Sequence, residues 1–161
     1  MLERANYILQ NPFYRENIEK NRVAEADRCF CHHDMAHFLD VARIGRIICL
    51  EEEIEIPLDI LYAAALLHDC GRHEEYEFGI PHHLTSAEIA PVILRKCGYT
   101  EAEIEQIEDA IRNHRNSKVE EEKNLRGVLY RADKASRACF SCQAEGECDW
   151  SKEKKNLEIS Y

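Results

Sequence analysis

The chain has 161 residues, with 21 Lys and Arg against 31 Asp and Glu and a formal charge of −10. That balance argues against a general nucleic-acid binder, because neutralising phosphates needs a basic surface. The longest wholly apolar run, eight residues from Ile60 to Leu67, is too short to span a bilayer. MLERANYILQ carries charge where a secretory signal needs an apolar stretch, so the expected setting is the cytosol, with eight cysteines as reduced thiols or metal ligands. Gly (6) and Pro (4) are sparse and no hairpin signal appears, so an all-α fold is expected. Both threonines, Thr85 and Thr100, precede a glutamate by three residues, the capping-box pattern that opens a helix. With no repeat, linker or low-complexity segment, residues 1–161 read as one domain; nothing in them speaks against self-association.

Residues 2–27 suggest two short packing helices, one carrying Leu2, Ile8 and Leu9, the other Phe13, Tyr14, Ile18 and Val23. In CFCHHDMAHFLDVARIGRIICL, His33, His37, Val41, Ile44 and Ile48 recur at helical spacing, so two histidines extend the stripe that should face the core. Two histidines at i and i+4 are also the spacing a helix uses to chelate a metal. Residues 58–72, LDILYAAALLHDCGR, form the centre: a helix apolar on all sides, with His68 and Asp69 at its buried end. An ionised group there is costly unless partnered, and a metal ion partners both; the plainer reading is a capping histidine and a turn aspartate. HEEYEFGIPHH reads as an irregular stretch delivering His82 and His83 to a helix capped by Thr85 or Ser86. The next helix, from Thr100, aligns Ile104, Ile107, Ile111 and His114. The last long helix carries Leu125, Val128, Leu129, Ala132, Ser136 and Cys139, with Asp133 on the same stripe, where a buried carboxylate must be paired, protonated or metal-bound.

Separate segments thus each place a ligand-type residue inward: His37, His68 with Asp69, and Asp133, with His82 and His114 from further along. Mixed imidazole and carboxylate donors suit hard or borderline divalent ions. In this pattern the chain resembles the HD superfamily of metal-dependent phosphohydrolases, with HDMAHFLDVARI matching the first-histidine helix, AALLHDCGR the doublet and YRADKAS the helix of the last aspartate. The resemblance covers about residues 30 to 140 and implies a helical bundle of about six to eight helices, with residues 139–161 packed on it. It also implies a divalent ion (Mn, Fe, Co, Ni, Zn or Mg) held by His37, His68, Asp69 and Asp133. His82 and His114 resemble the extra histidines of members that hold two ions, although Arg115 stands where a further histidine often follows.

Such a centre activates water and polarises a phosphoryl oxygen. Hydrolysis of a nucleotide or other small phosphate ester is therefore expected, with Asp69 at the catalytic centre, Arg72 and Lys134 on phosphate, and His33 and Asp34 as supporting or proton-transfer groups. A binding or sensor protein that holds a phosphorylated ligand without turnover is the alternative. In CFSCQAEGECDW, Cys139, Cys142 and Cys148 with Cys31 or Cys29 have the residue types of a structural zinc site, against a reading as ordinary thiols. Cys49 and Cys97 fall on apolar stripes and read as core.

Overall fold

The computed structural model describes residues 2–159 and 161 and is helical throughout, with no strand among them. The helices are α1 (Glu3–Gln10), α2 (Pro12–Ala24), α3 (Met35–Glu51), α4 (Leu58–Leu67), α5 (Arg72–Phe78), α6 (His82–Lys96), α7 (Glu101–Asn113) and α8 (Leu125–Ala135), followed by short 3-10 turns. The all-α expectation of six to eight helices is met.

Helix α4 is the axle of the packing. Ile60, Leu61, Ala63, Ala64, Ala65, Leu66 and Leu67 are all buried, and α1, α3, α6, α7 and α8 pack around it. Three successive alanines keep its surface shallow, so neighbouring backbones come close without strain. Gly45 of α3 serves the same purpose: a Cβ there would sit 3.0 Å from Leu61 Cδ1 and 3.4 Å from Val128 Cγ1. Burying a Leu or Ile side chain contributes about 1.5–3 kcal/mol, and truncating one such as Leu66 to Ala costs about 2–5 kcal/mol. Asp59, at the start of α4, accepts from Arg4 Nε (2.5 Å) and the Ala5 amide (3.1 Å) and so fixes α1 against the axle. Cys49 and Cys97 are core, as expected, and all eight thiols are free.

Four local expectations need correction. The segment after the doublet is not irregular, since Arg72–Phe78 is helical and ends on Gly79 in the left-handed region (φ 72°). Helix α6 opens at His82 behind Pro81, not at Thr85 or Ser86. Ser86 is committed elsewhere, its hydroxyl accepting the Gly71 amide at 2.9 Å, while Thr100 does form its capping box with Glu103. His33 lies before α3 and not on it, because Asp34 caps that helix by accepting the His37 amide at 3.1 Å. Finally, α2 does more than pack: Asn17, Asn21 and the following Glu25 are buried and meet His73, the Asp69 carbonyl and His33 in turn.

Candidate metal centre

Five helix ends converge on one buried point. His37 is in the first turn of α3, His68 caps the end of α4 with Asp69 in the turn beyond, and Asp133 is in the last turn of α8. His82 is the first residue of α6 and His114 caps the end of α7. Two groups of donor atoms result, each with all members within 4.8 Å of one another: His37, His68, Asp69 and Asp133, and Asp69, His82 and His114. Asp69 belongs to both. Its Oδ2 lies 3.3 Å from His68 Nε2 and 3.6 Å from His37 Nε2, and its Oδ1 lies 3.0 Å from His82 Nε2 and 3.5 Å from His114 Nε2.

The hydrogen bonds on the far side of each ring assign the tautomers. His68 Nδ1 lies 2.8 Å from the Ala65 carbonyl and His114 Nδ1 lies 2.7 Å from that of Ile111; a carbonyl only accepts, so both Nδ1 atoms carry the proton. Ser136 donates to the Asp133 carbonyl (2.7 Å), which leaves its oxygen to accept from His37 Nδ1 at 3.2 Å. The Glu75 carboxylate faces His82 Nδ1 and accepts there as well. All four rings therefore present Nε2 inward, the arrangement second-shell partners impose on metal-binding histidines. The nitrogens crowd in pairs, with His37 and His68 Nε2 3.3 Å apart and His82 and His114 Nε2 3.2 Å apart, although Arg72 Nη1 also reaches His82 Nε2 at 3.1 Å. Asp69 Oδ1 is buried and has no partner in hydrogen-bond geometry. Lone pairs converging this way, with an orphaned carboxylate oxygen between them, fit divalent ions.

The electrostatics agree. Burial works against ionising Asp69, yet His68, His82 and His33 hold its carboxyl well below the usual carboxylate range. Burial likewise opposes ionisation of Asp133, and His68, Lys134 and Arg137 outweigh it. His68 is pushed up to about 10, since the Asp69 and Asp133 carboxylates overcome the cost of burying its charge, whereas burial takes His114 down to about 4. Two buried carboxylates thus attract positive charge to the first group, and a proton and a divalent ion compete for His68 Nε2.

The other expected residues are placed unevenly. His33 is buried beside the centre, with Nδ1 2.5 Å from Glu25 Oε1 and Nε2 3.8 Å from Asp69 Oδ2. Asp34 is exposed and acts as a helix cap. Arg72 lies against the His82 ring and donates to Tyr76 Oη at 3.1 Å, and Lys134 Nζ is 2.5 Å from Asp133 Oδ2. Arg115 reaches Glu75 Oε1 at 3.4 Å, so the residue that departs from the two-ion pattern braces the carboxylate that holds His82. Of the expected thiol site, burial and the nearby Cys139 and Cys142 thiols raise the Cys31 thiol, whereas Cys29 is exposed; among the described residues the donor groups within 4.8 Å are the two above, neither containing a cysteine. The C-terminal segment is fastened instead by Asn156, whose side-chain amide donates to the Lys134 and Arg137 carbonyls at 2.8 and 2.9 Å.

Sequence reasoning missed Glu25, Glu75, Asn17 and Asn21. Asn17, Asn21 and Glu25 recur every four residues, a polar stripe on one helical face that a search for apolar stripes passes over.

The HD domain family model matches residues 35–138. An uncharacterized protein of Clostridium beijerinckii is 45% identical over 160 residues, covering 99% of this chain and 100% of that protein. The fold is similar to the crystal structure of a predicted HD superfamily hydrolase from an uncultured Thermotogales bacterium, with a TM-score of 0.61 and 26% identity over 89% of this chain and 81% of that one. With the doublet, the outlying histidine and the distant aspartate brought together inside that match, the chain belongs to the HD domain family.

Proposed function

We propose that this chain is a metal-dependent phosphohydrolase acting on a nucleotide or another small phosphate ester in the cytosol, in which the two donor groups that share Asp69 would each hold a divalent ion. The observation that carries the reading is the division of labour at Asp69, whose two buried oxygens face two separate sets of inward imidazole nitrogens. Divalent ions in these groups lower the pKa of water and polarise a phosphoryl oxygen.

The chain's own residues supply the rest. His37, His68 and Asp133 complete the first group and His82 and His114 the second, all held in orientation from outside the pocket. Arg72 and Lys134 bring cationic groups to the two flanks, where they neutralise phosphoryl oxygens. His33 is the proton carrier: the Glu25 carboxylate accepts a hydrogen bond from Nδ1–H and leaves Nε2 facing the centre beside Asp69. Asp34 serves this machinery through the backbone of His37.

The test is phosphate release from a panel of nucleotides and sugar phosphates with Mn²⁺, Co²⁺, Ni²⁺ and Mg²⁺ in turn. Metal-dependent turnover of at least one ester, abolished by chelator, is expected. A protein that carries its metal and binds phosphorylated compounds without hydrolysing any is instead a sensor on the same scaffold.

A further inference from the structure

Outside the ligand set, two buried groups near the centre are left without a partner, His83 Nδ1, on a ring edge-on to His82 and His114, and Arg137 Nη1. Arg137 lies one helical turn beyond Asp133, with Nη2 3.8 Å from Asp133 Oδ2 and its side chain only 13% exposed. Its Nη1 is buried and makes no hydrogen bond. A buried donor left unsatisfied is costly, so its position calls for an acceptor. Asp133 does not supply one, since Oδ1 faces His37 and His68 while Oδ2 is taken by Lys134. Arg131 Nη2 is also unpartnered, but that guanidinium already rests on Glu52 through Nη1 (2.6 Å).

What holds Arg137 in place comes from beyond the last long helix. The Arg137 guanidinium sits over the Trp150 ring, 3.8 Å from Cζ to ring centroid, close enough for a cation–π contact. Asn156 ties the same segment to the carbonyl ends of α8, including that of Arg137, and its own carbonyl accepts the Phe140 amide at 2.9 Å. The segment therefore lies beside the centre and holds the guanidinium, while Nη1 is left without a hydrogen bond.

We infer that Arg137 and Lys134 form an oxyanion subsite for the substrate's phosphoryl group beside Asp133, and that Trp150 is the residue that positions Arg137 in it. The inference rests on the phosphate-ester reading for its occupant. A planar fork with Nη1 left without a hydrogen bond suits the oxygens of a tetrahedral phosphate, and Lys134 adds a second, more mobile charge. No covalent step is involved: the subsite binds and orients.

The test measures binding of inorganic phosphate by calorimetry to the full-length protein loaded with Mn²⁺, with bound metal and melting temperature followed in parallel. Arg137→Gln should weaken phosphate about ten- to a hundredfold with metal content unchanged, and Arg137→Lys should recover part of that loss. Trp150→Ala should weaken it by about three- to tenfold, with rescue in Trp150→Phe, which a merely structural role for the indole would not give. Phosphate affinity within twofold of wild type in folded, metal-loaded Arg137→Gln overturns the inference. So does loss of metal together with phosphate, which would make Arg137 a support for Asp133. Phosphate binding that depends on Arg137 in a protein that hydrolyses no ester keeps the subsite and ends the phosphohydrolase reading. Ester hydrolysis indifferent to Arg137→Gln does the reverse.

Discussion

The two donor groups share Asp69 but are braced differently. In the first, the outer nitrogens of His68 and His37 meet a backbone carbonyl and a serine hydroxyl, neutral partners fixed by the helices themselves. In the second, His114 has a backbone carbonyl but His82 depends on Glu75, a partly exposed carboxylate on the seven-residue helix α5. A group braced by the main chain inherits the rigidity of the fold. One braced by a side chain on a short helix can be adjusted, or lost, without disturbing the core. If both groups hold an ion, the tighter one is expected in the first group.

Removing Asp69 should abolish the distinction, because it serves both sides. Asp69→Ala is expected to fall from near two ions per chain to near none by elemental analysis, with activity down by more than about a hundredfold. Retention of full metal would rule out the shared carboxylate as a ligand.

His114→Ala should separate the groups. About one ion should remain, held by His37, His68, Asp69 and Asp133, and two ions remaining would show that His114 faces substrate instead.

A subtler change is Glu75→Gln, which keeps the shape and removes the charge behind His82. Affinity of the second ion should drop by about ten- to a hundredfold, as for other outer-shell partners, with the first ion unaffected. Equal weakening of both would erase the difference in bracing.

Acid should act on the same contact. Burial opposes ionisation of Glu75, but the His82 side chain and amide hold it at about 2, below its ordinary 4.5. A carboxyl depressed on folding stabilises fully above pH about 4.5, and that contribution disappears as pH falls toward 2. Because the Glu75 side chain is 30% exposed, solvent screens part of the effect. The metal-free wild type should therefore lose more thermal stability between pH 5 and 3 than Glu75→Gln does; parallel curves would mean the contact contributes nothing.

Much of the first group was legible in the chain, and less of the second. His37 with Val41 and Ile44, and Asp133 with Val128, Leu129 and Ala132, follow helical periodicity, and α4 announces itself as eight apolar residues ending in the doublet. His114 could be found the same way on α7. Glu75 could not, because EEYEF shows no apolar stripe and α5 is helical through contacts with α2 and α6. The start of α6 was misplaced because a threonine three residues before a glutamate is a cap only where the chain turns there, and Pro81 turns it earlier. The cysteine spacing suggests a metal site, and the fold does bring Cys31 toward Cys139 and Cys142, though not into a group within 4.8 Å, while Arg137 and Trp150 stand thirteen residues apart with no periodicity to link them.

The Asn21 clasp reaches further than its two bonds suggest. Its amide donates to the Asp69 carbonyl at 2.9 Å and its oxygen accepts the His73 amide at 2.8 Å, while His73 Nε2 donates to Asn17 Oδ1 at 2.9 Å. The turn that carries the doublet is thus closed by a helix lying entirely outside residues 35–138. Opening that turn breaks the bonds to α2, so release of an ion held at the doublet is expected to follow undocking of α2. Native-state hydrogen exchange reads this directly: the His73 amide should exchange only as fast as α2 detaches, and Asn21→Ala should speed both that exchange and metal release, whereas acceleration of one without the other would uncouple them.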